Sequence, residues 1–149
     1  LQAAILLVVV APLIVAGWAP QGESGFWTGF GMGFWTAGFL LETVADHQLA
    51  RFLKTRKNSD EILQTGLWKY VRHPNYSGEI IVWWGMFFMV AALPYGWAAL
   101  ISPVVITLLL TRVSGVPMLE KRYEGNADYE AYKKKAGALW PKPSERWSQ

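Results

Sequence analysis

The chain has 149 residues, 52% of them hydrophobic, and 14 lysines and arginines against 11 acids give it a net charge of +3. The absence of cysteine excludes a disulfide framework and a thiolate metal site. So small a positive excess asks for no nucleic acid, because a basic face lying on anionic lipid accounts for it.

Leu1 to Ala19 is uncharged and long enough at the helical rise to cross a hydrocarbon core, which predicts a first span over 1–19. Phe26 to Leu41 is again uncharged and runs into the mixed helix Glu42 to Lys54, giving a second span over 26–50. From Tyr76 to Val113 the apolar stretch is broken at Leu93-Pro94-Tyr95-Gly96, a turn signal that separates spans over 74–93 and 97–113. Residues 114–149 form a basic tail. All 14 basic residues then fall on one face, with Glu23 the only charge opposite, and the positive-inside rule makes that face cytoplasmic. The fold class is all-α: a polytopic membrane helical bundle of about four transmembrane helices with a cytoplasmic amphipathic C-terminal tail, one domain over 1–149. A soluble domain with a buried helical hairpin is the alternative. The charge segregation and nine tryptophans oppose it, with Trp18, Trp27, Trp68, Trp97 and Trp140 expected in the headgroup zone. The chain starts with leucine and enters a span directly, without the basic n-region of a signal peptide, so it reads as the C-terminal part of a longer protein.

Gly25, Gly29 and Gly33 repeat every fourth residue and predict a smooth strip for close helix packing or for a flat ligand. Glu42 and Asp46 share a helix face, followed by Gln48, Arg51 and Lys54. They read either as a solvated helix end or as carboxylates binding ribose hydroxyls or an amide. The densest chemistry runs from Gly66 through Tyr70 and Arg72-His73-Pro74-Asn75-Tyr76 to Glu79. Pro74 suits a first helical turn, so the third span should start near His73, and its free N–H groups beside Arg72 would suit an anion. Asn75, Tyr76 and Glu79 project to one side of that helix. A carboxyl one turn inside the membrane suits a proton donor to a ketone oxygen; a salt-bridged structural acid is the plainer alternative. His47 and His73 are the only histidines and show no paired metal spacing, so no metal site is expected.

Gly66-Leu67-Trp68 through Arg72-His73-Pro74-Asn75-Tyr76-Ser77-Gly78-Glu79 and Trp83-Trp84-Gly85 resembles the signature of bacterial DUF1295 proteins, relatives of the steroid 5-alpha-reductase C-terminal domain. Glu42 to Gln48, Ser114 to Pro117 with Leu119-Glu120-Lys121, and Tyr129 to Tyr132 through Trp140-Pro141 extend the likeness over about Trp35 to Pro141. The resemblance implies a bacterial inner-membrane enzyme transferring hydride from NADPH to the double bond of an enone lipid such as a steroid. It places Glu79, with Tyr76 nearby, at the substrate carbonyl. It places Asn75, Asp46 and Glu42 at the cofactor, with Arg72, Arg51, Lys54 and Arg122 toward its phosphates and Tyr70, His73, Glu120, Tyr129 and Tyr132 completing the set. Glu42 stands where animal reductases carry asparagine, and their N-terminal spans lie outside the likeness.

Isoprenylcysteine carboxyl methyltransferases are also similar, through Arg72-His73-Pro74, Tyr76, Gly78, Glu120, Tyr129, Tyr132 and Pro141, and there the region binds S-adenosylmethionine. Asn75 and Glu79 fit the reductase pattern and not the methyltransferase one. A non-enzymatic helical module built on the glycine strip is the third reading, and it leaves the Arg72 to Glu79 cluster unused. The expected partners are the lipid bilayer and a hydrophobic small molecule or lipid, with no nucleic acid; oligomeric state is left open. Tyr129 and Tyr132, on an amphipathic tail helix, would cover the cytoplasmic mouth of the bundle, and Lys133, Lys134, Lys135 and Arg146 would lie against anionic lipid.

Overall fold

The computed structural model describes residues 5, 8–18 and 25–143; parts of the expected first span, the loop with Glu23, and Arg146 lie outside the described residues. The described residues form no strand. They form α1 (Ala11–Trp18), α2 (Phe26–Thr55), a 3-10 turn (Gly66–Lys69), α3 (Pro74–Val90), a second such turn (Gly96–Leu100), α4 (Ile101–Leu108), α5 (Val116–Lys121) and α6 (Ala127–Lys135). A π-helical segment, Leu109–Val113, joins α4 to α5. Among the described residues the helical stretch Gly96–Lys121 is the one long and apolar enough to cross a membrane by length and composition. The 30 residues of α2 reach about 45 Å at 1.5 Å per residue, but its second half carries Glu42, Asp46, Arg51 and Lys54; α3 has 17 residues.

The antiparallel packing of α2 on α3 is the main helix pair, and glycine makes it possible. A Cβ on Gly31 would stand 2.5 Å from the Met89 nitrogen, one on Gly38 2.7 Å from that of Val82, one on Gly78 2.6 Å from that of Glu42, and one on Gly85 2.5 Å from that of Trp35. Gly31, Gly38 and Ala45 recur at seven-residue spacing and are the buried residues of α2. They let the two backbones touch, as small residues do between apolar helices. This corrects the expected strip: Gly25, Gly29 and Gly33 have nothing within 4 Å of a built Cβ. Two positions along a helix turn the side chain by about 200°, so Gly29 and Gly33 point away from the face that Gly31 presents to α3. Toward the Gly25 end, Trp27, Phe30 and Phe34 surround Phe88, with ring centroids 6.2, 5.1 and 5.6 Å from it.

Two further contacts fix the frame. The Ser102 hydroxyl of α4 donates to the Val9 carbonyl at 2.7 Å, tying the N-terminal helical region to the later one. Trp68 is not at a headgroup surface but 8% exposed, its indole N–H donating to the Ala45 carbonyl at 3.1 Å. Beside it the Leu67 N–H donates to the Gln48 side chain at 3.0 Å. The turn therefore docks on α2 through polar groups that the sequence shows as separate segments. Trp18, Trp97 and Trp140 are 89%, 75% and 57% exposed.

Candidate functional site

The start of α3 is built by the tail. His73 is its N-cap residue and Pro74 stands in the first turn, where a missing N–H costs nothing. Val71 pairs with Gly137, the Arg72 N–H donates to the Gly137 carbonyl at 2.9 Å, and the His73 N–H donates to the Ala138 carbonyl at 3.0 Å. The Ser77 hydroxyl reaches the Leu139 carbonyl at 2.5 Å. The Tyr132 hydroxyl donates to the Trp68 and Val71 carbonyls. Burial pushes the Tyr129 and Tyr132 phenols well above their ordinary range, so both remain donors.

Arg72 belongs to this knot. Its Nε and Nη2 meet Glu120 Oε1 at 2.9 and 2.8 Å, and Nη1 donates to the Ala136 carbonyl at 2.5 Å. His73 Nε2 lies 3.2 Å from the same Glu120 oxygen, and Lys133 Nζ is 3.8 Å from the other. Burial lowers the His73 pKa below the ordinary histidine value; neighbouring Glu120 opposes that shift and Arg72 reinforces it. The anion that meets Arg72 and His73 is thus the chain's own carboxylate.

Beside the knot lies a cavity of about 880 Å³, large enough for a cofactor-sized ligand. Arg72, His73, Asn75, Arg122, Tyr129 and Tyr132 line it, as do Phe52, Arg56 and Tyr123, which the sequence reading did not single out. Tyr123 stacks on Tyr129 at 4.5 Å between centroids. Arg56 is the C-cap of α2, beyond the Glu42 to Lys54 stretch that the sequence marks as helix. Glu120 stands behind the wall, holding Arg72 and His73. Arg51 and Lys54 are exposed and outside the lining, as is Tyr70, whose ring lies 5.7 Å from Lys69 Nζ.

Asn75 joins the cavity to a second group of residues. Its Nδ2 donates to Asp46 Oδ1 at 3.0 Å, whereas its Oδ1 is buried and has no partner among the described residues. Asp46, Glu42, Tyr76 and Glu79 lie within electrostatic reach of one another in the α2–α3 seam. Gly78 abuts Glu42 directly. Asn75 lines the cavity, and a buried carbonyl oxygen without a partner is costly, so a ligand N–H, such as that of a carboxamide, would relieve the cost once the amide turned toward the cavity.

The fold and site define a helical protein with an arginine-lined cavity linked through the Asn75–Asp46 hydrogen bond to a carboxylate cluster between two glycine-packed helices. The chain belongs to the family described as a protein of unknown function, DUF1295, whose model matches residues 1–136. It is 38% identical over 82 residues to steroid 5-alpha-reductase DET2 of Solanum lycopersicum, covering 54% of this chain and 30% of that protein. It is 40% identical over 55 residues to 3-oxo-5-alpha-steroid 4-dehydrogenase 1 of Macaca fascicularis and 38% identical over 55 to that of Homo sapiens, covering in each case 37% of this chain and 21% of the relative. The chain therefore spans less than a third of the length of these curated relatives. No solved structure matches it.

Proposed function

We propose that this chain is the cofactor- and carbonyl-binding part of a membrane-embedded, NADPH-dependent reductase that saturates the carbon–carbon double bond of an enone lipid or steroid-like substrate. Four spans hold it in a bacterial inner membrane, with the basic loop and tail on the cytoplasmic face. The observation that carries this reading is the position of Asn75, a cavity-lining residue whose amide N–H is bonded to Asp46 and whose amide oxygen is buried without a partner. The names of the reductase relatives favour it over methyl transfer.

When bound, NADPH supplies the hydride. Asn75, bonded to Asp46 through its amide N–H, would meet the cofactor carboxamide with its amide oxygen once the side chain turns toward the cavity. Glu79, when it carries its proton, would donate a hydrogen bond to the substrate carbonyl, so that negative charge developing on that oxygen meets a donor. Tyr76, three positions before Glu79 on α3, brings a hydroxyl to the same face, and it or a water would deliver the proton to the carbon next to the carbonyl while the hydride goes to the far carbon of the double bond. Apolar flanks of α2 and α3 keep bulk water from the reacting bond.

The test is label transfer. The detergent-purified protein is given a 3-oxo-4-ene steroid and NADPH deuterated at the transferring position. One deuterium on the β carbon of the former enone and none on the α carbon, with turnover lost in Glu79→Gln, is the expected result. Full turnover in Glu79→Gln would remove Glu79 from its role, and a product methylated from S-adenosylmethionine would replace the reading.

A further inference from the structure

Three arginines and two carboxylates, Asp60 and Glu124, share the cavity wall, and the arginines are not equivalent. Arg72 is held by Glu120 and the Ala136 carbonyl. Its charge is matched and its donors are largely spent within the chain. Arg56 and Arg122 have no hydrogen-bonded or ion-paired side chain among the described residues. They reach the cavity from separate elements, Arg56 from the C-cap of α2 and Arg122 from the end of α5. Asn75 marks a separate position on that wall. A guanidinium presents a planar fork of donors that suits phosphate, and an uncommitted one has them to offer.

The geometry points to Arg56 and Arg122 as a phosphate clamp that selects a 2′-phosphorylated dinucleotide over the same dinucleotide without that phosphate. This rests on the NADPH reading above and adds the residues that set its selectivity. Arg72 acts as a positioning residue for the knot and leaves the ligand's charge to the other two.

The test is a tryptophan-fluorescence titration of the purified protein with NADPH and, separately, NADH. Measured alongside are Arg56→Ala, Arg122→Ala, the double variant and, as control, Arg112→Ala in the π-helical segment. Wild type is expected to prefer NADPH, each single variant to lose about tenfold in NADPH affinity, and the double variant to bind both dinucleotides alike with NADH affinity unchanged. The control should match wild type. A preference retained by the double variant overturns the clamp while leaving the NADPH reading in place, as does a wild type that binds both dinucleotides equally. Binding of neither overturns both. Should the double variant fail to fold, competition decides: adenosine 2′,5′-bisphosphate displacing NADPH from wild type far better than adenosine 5′-monophosphate supports the clamp, and equal displacement overturns it.

Discussion

Asn75 and Asp46 meet across the α2–α3 seam at 3.0 Å, and that bond leaves the amide oxygen of Asn75 buried with no partner. Asp46 sets which way the amide points, and the spare oxygen would accept from a ligand N–H once the side chain turns toward the cavity. Asn75→Ala is expected to weaken NADPH binding by about tenfold or more, the scale of one buried hydrogen bond, with little change in thermal unfolding. Asp46→Asn should weaken it less, by freeing the amide to flip. Paired titrations of the two variants check the order.

The glycine contacts predict a sharp contrast within one helix. Gly38→Ala would drive a methyl to 2.7 Å from the Val82 backbone, so α2 and α3 must separate; a loss of about 1–3 kcal/mol is expected. Gly33→Ala meets nothing within 4 Å and should be neutral or slightly stabilising. Thermal unfolding in detergent distinguishes them, and equal effects would contradict the packing.

Glu120 holds Arg72, His73 and Lys133 at once. Glu120→Ala removes the shared anion and leaves a largely buried guanidinium unmatched, at an expected cost of about 3 kcal/mol. Hydrogen exchange at the Arg72 and His73 amides, which donate to Gly137 and Ala138, should rise with it as the tail loosens.

His73 gives a pH dependence. Its pKa is lowered by burial in the folded chain, so the unfolded chain binds more protons below the ordinary histidine value and stability rises with pH there. The contribution is intact above about pH 6.5 and is lost as pH falls from there toward the folded pKa. Unfolding measured from pH 8 to 5 should slope downward on the acid side, and His73→Gln should flatten that slope.

Local spacing made the helix starts legible where an apolar run meets a breaker, as at Pro74 and Gly96. It did not identify the packing face of α2, because Gly25, Gly29 and Gly33 form the more regular pattern whereas Gly31 and Gly38 are the residues that meet α3. Glu120 lies 48 positions from Arg72, beyond any local rule, and the sequence left Arg72 free for a phosphate. Trp68 was assigned to the headgroup zone by its place between spans; its indole bond to Ala45 becomes visible only when the turn folds onto α2. Asn75, Tyr76 and Glu79 were found because one-turn spacing on α3 is a property of the sequence itself.

Titration of the detergent-purified protein with NADPH and, in parallel, with S-adenosylmethionine, followed by tryptophan fluorescence, tests the central claim most directly. Saturable binding of NADPH with no response to S-adenosylmethionine is the predicted result. Binding of S-adenosylmethionine alone would contradict it and assign the cavity to methyl transfer, and binding of neither would leave a helical module without the proposed cofactor.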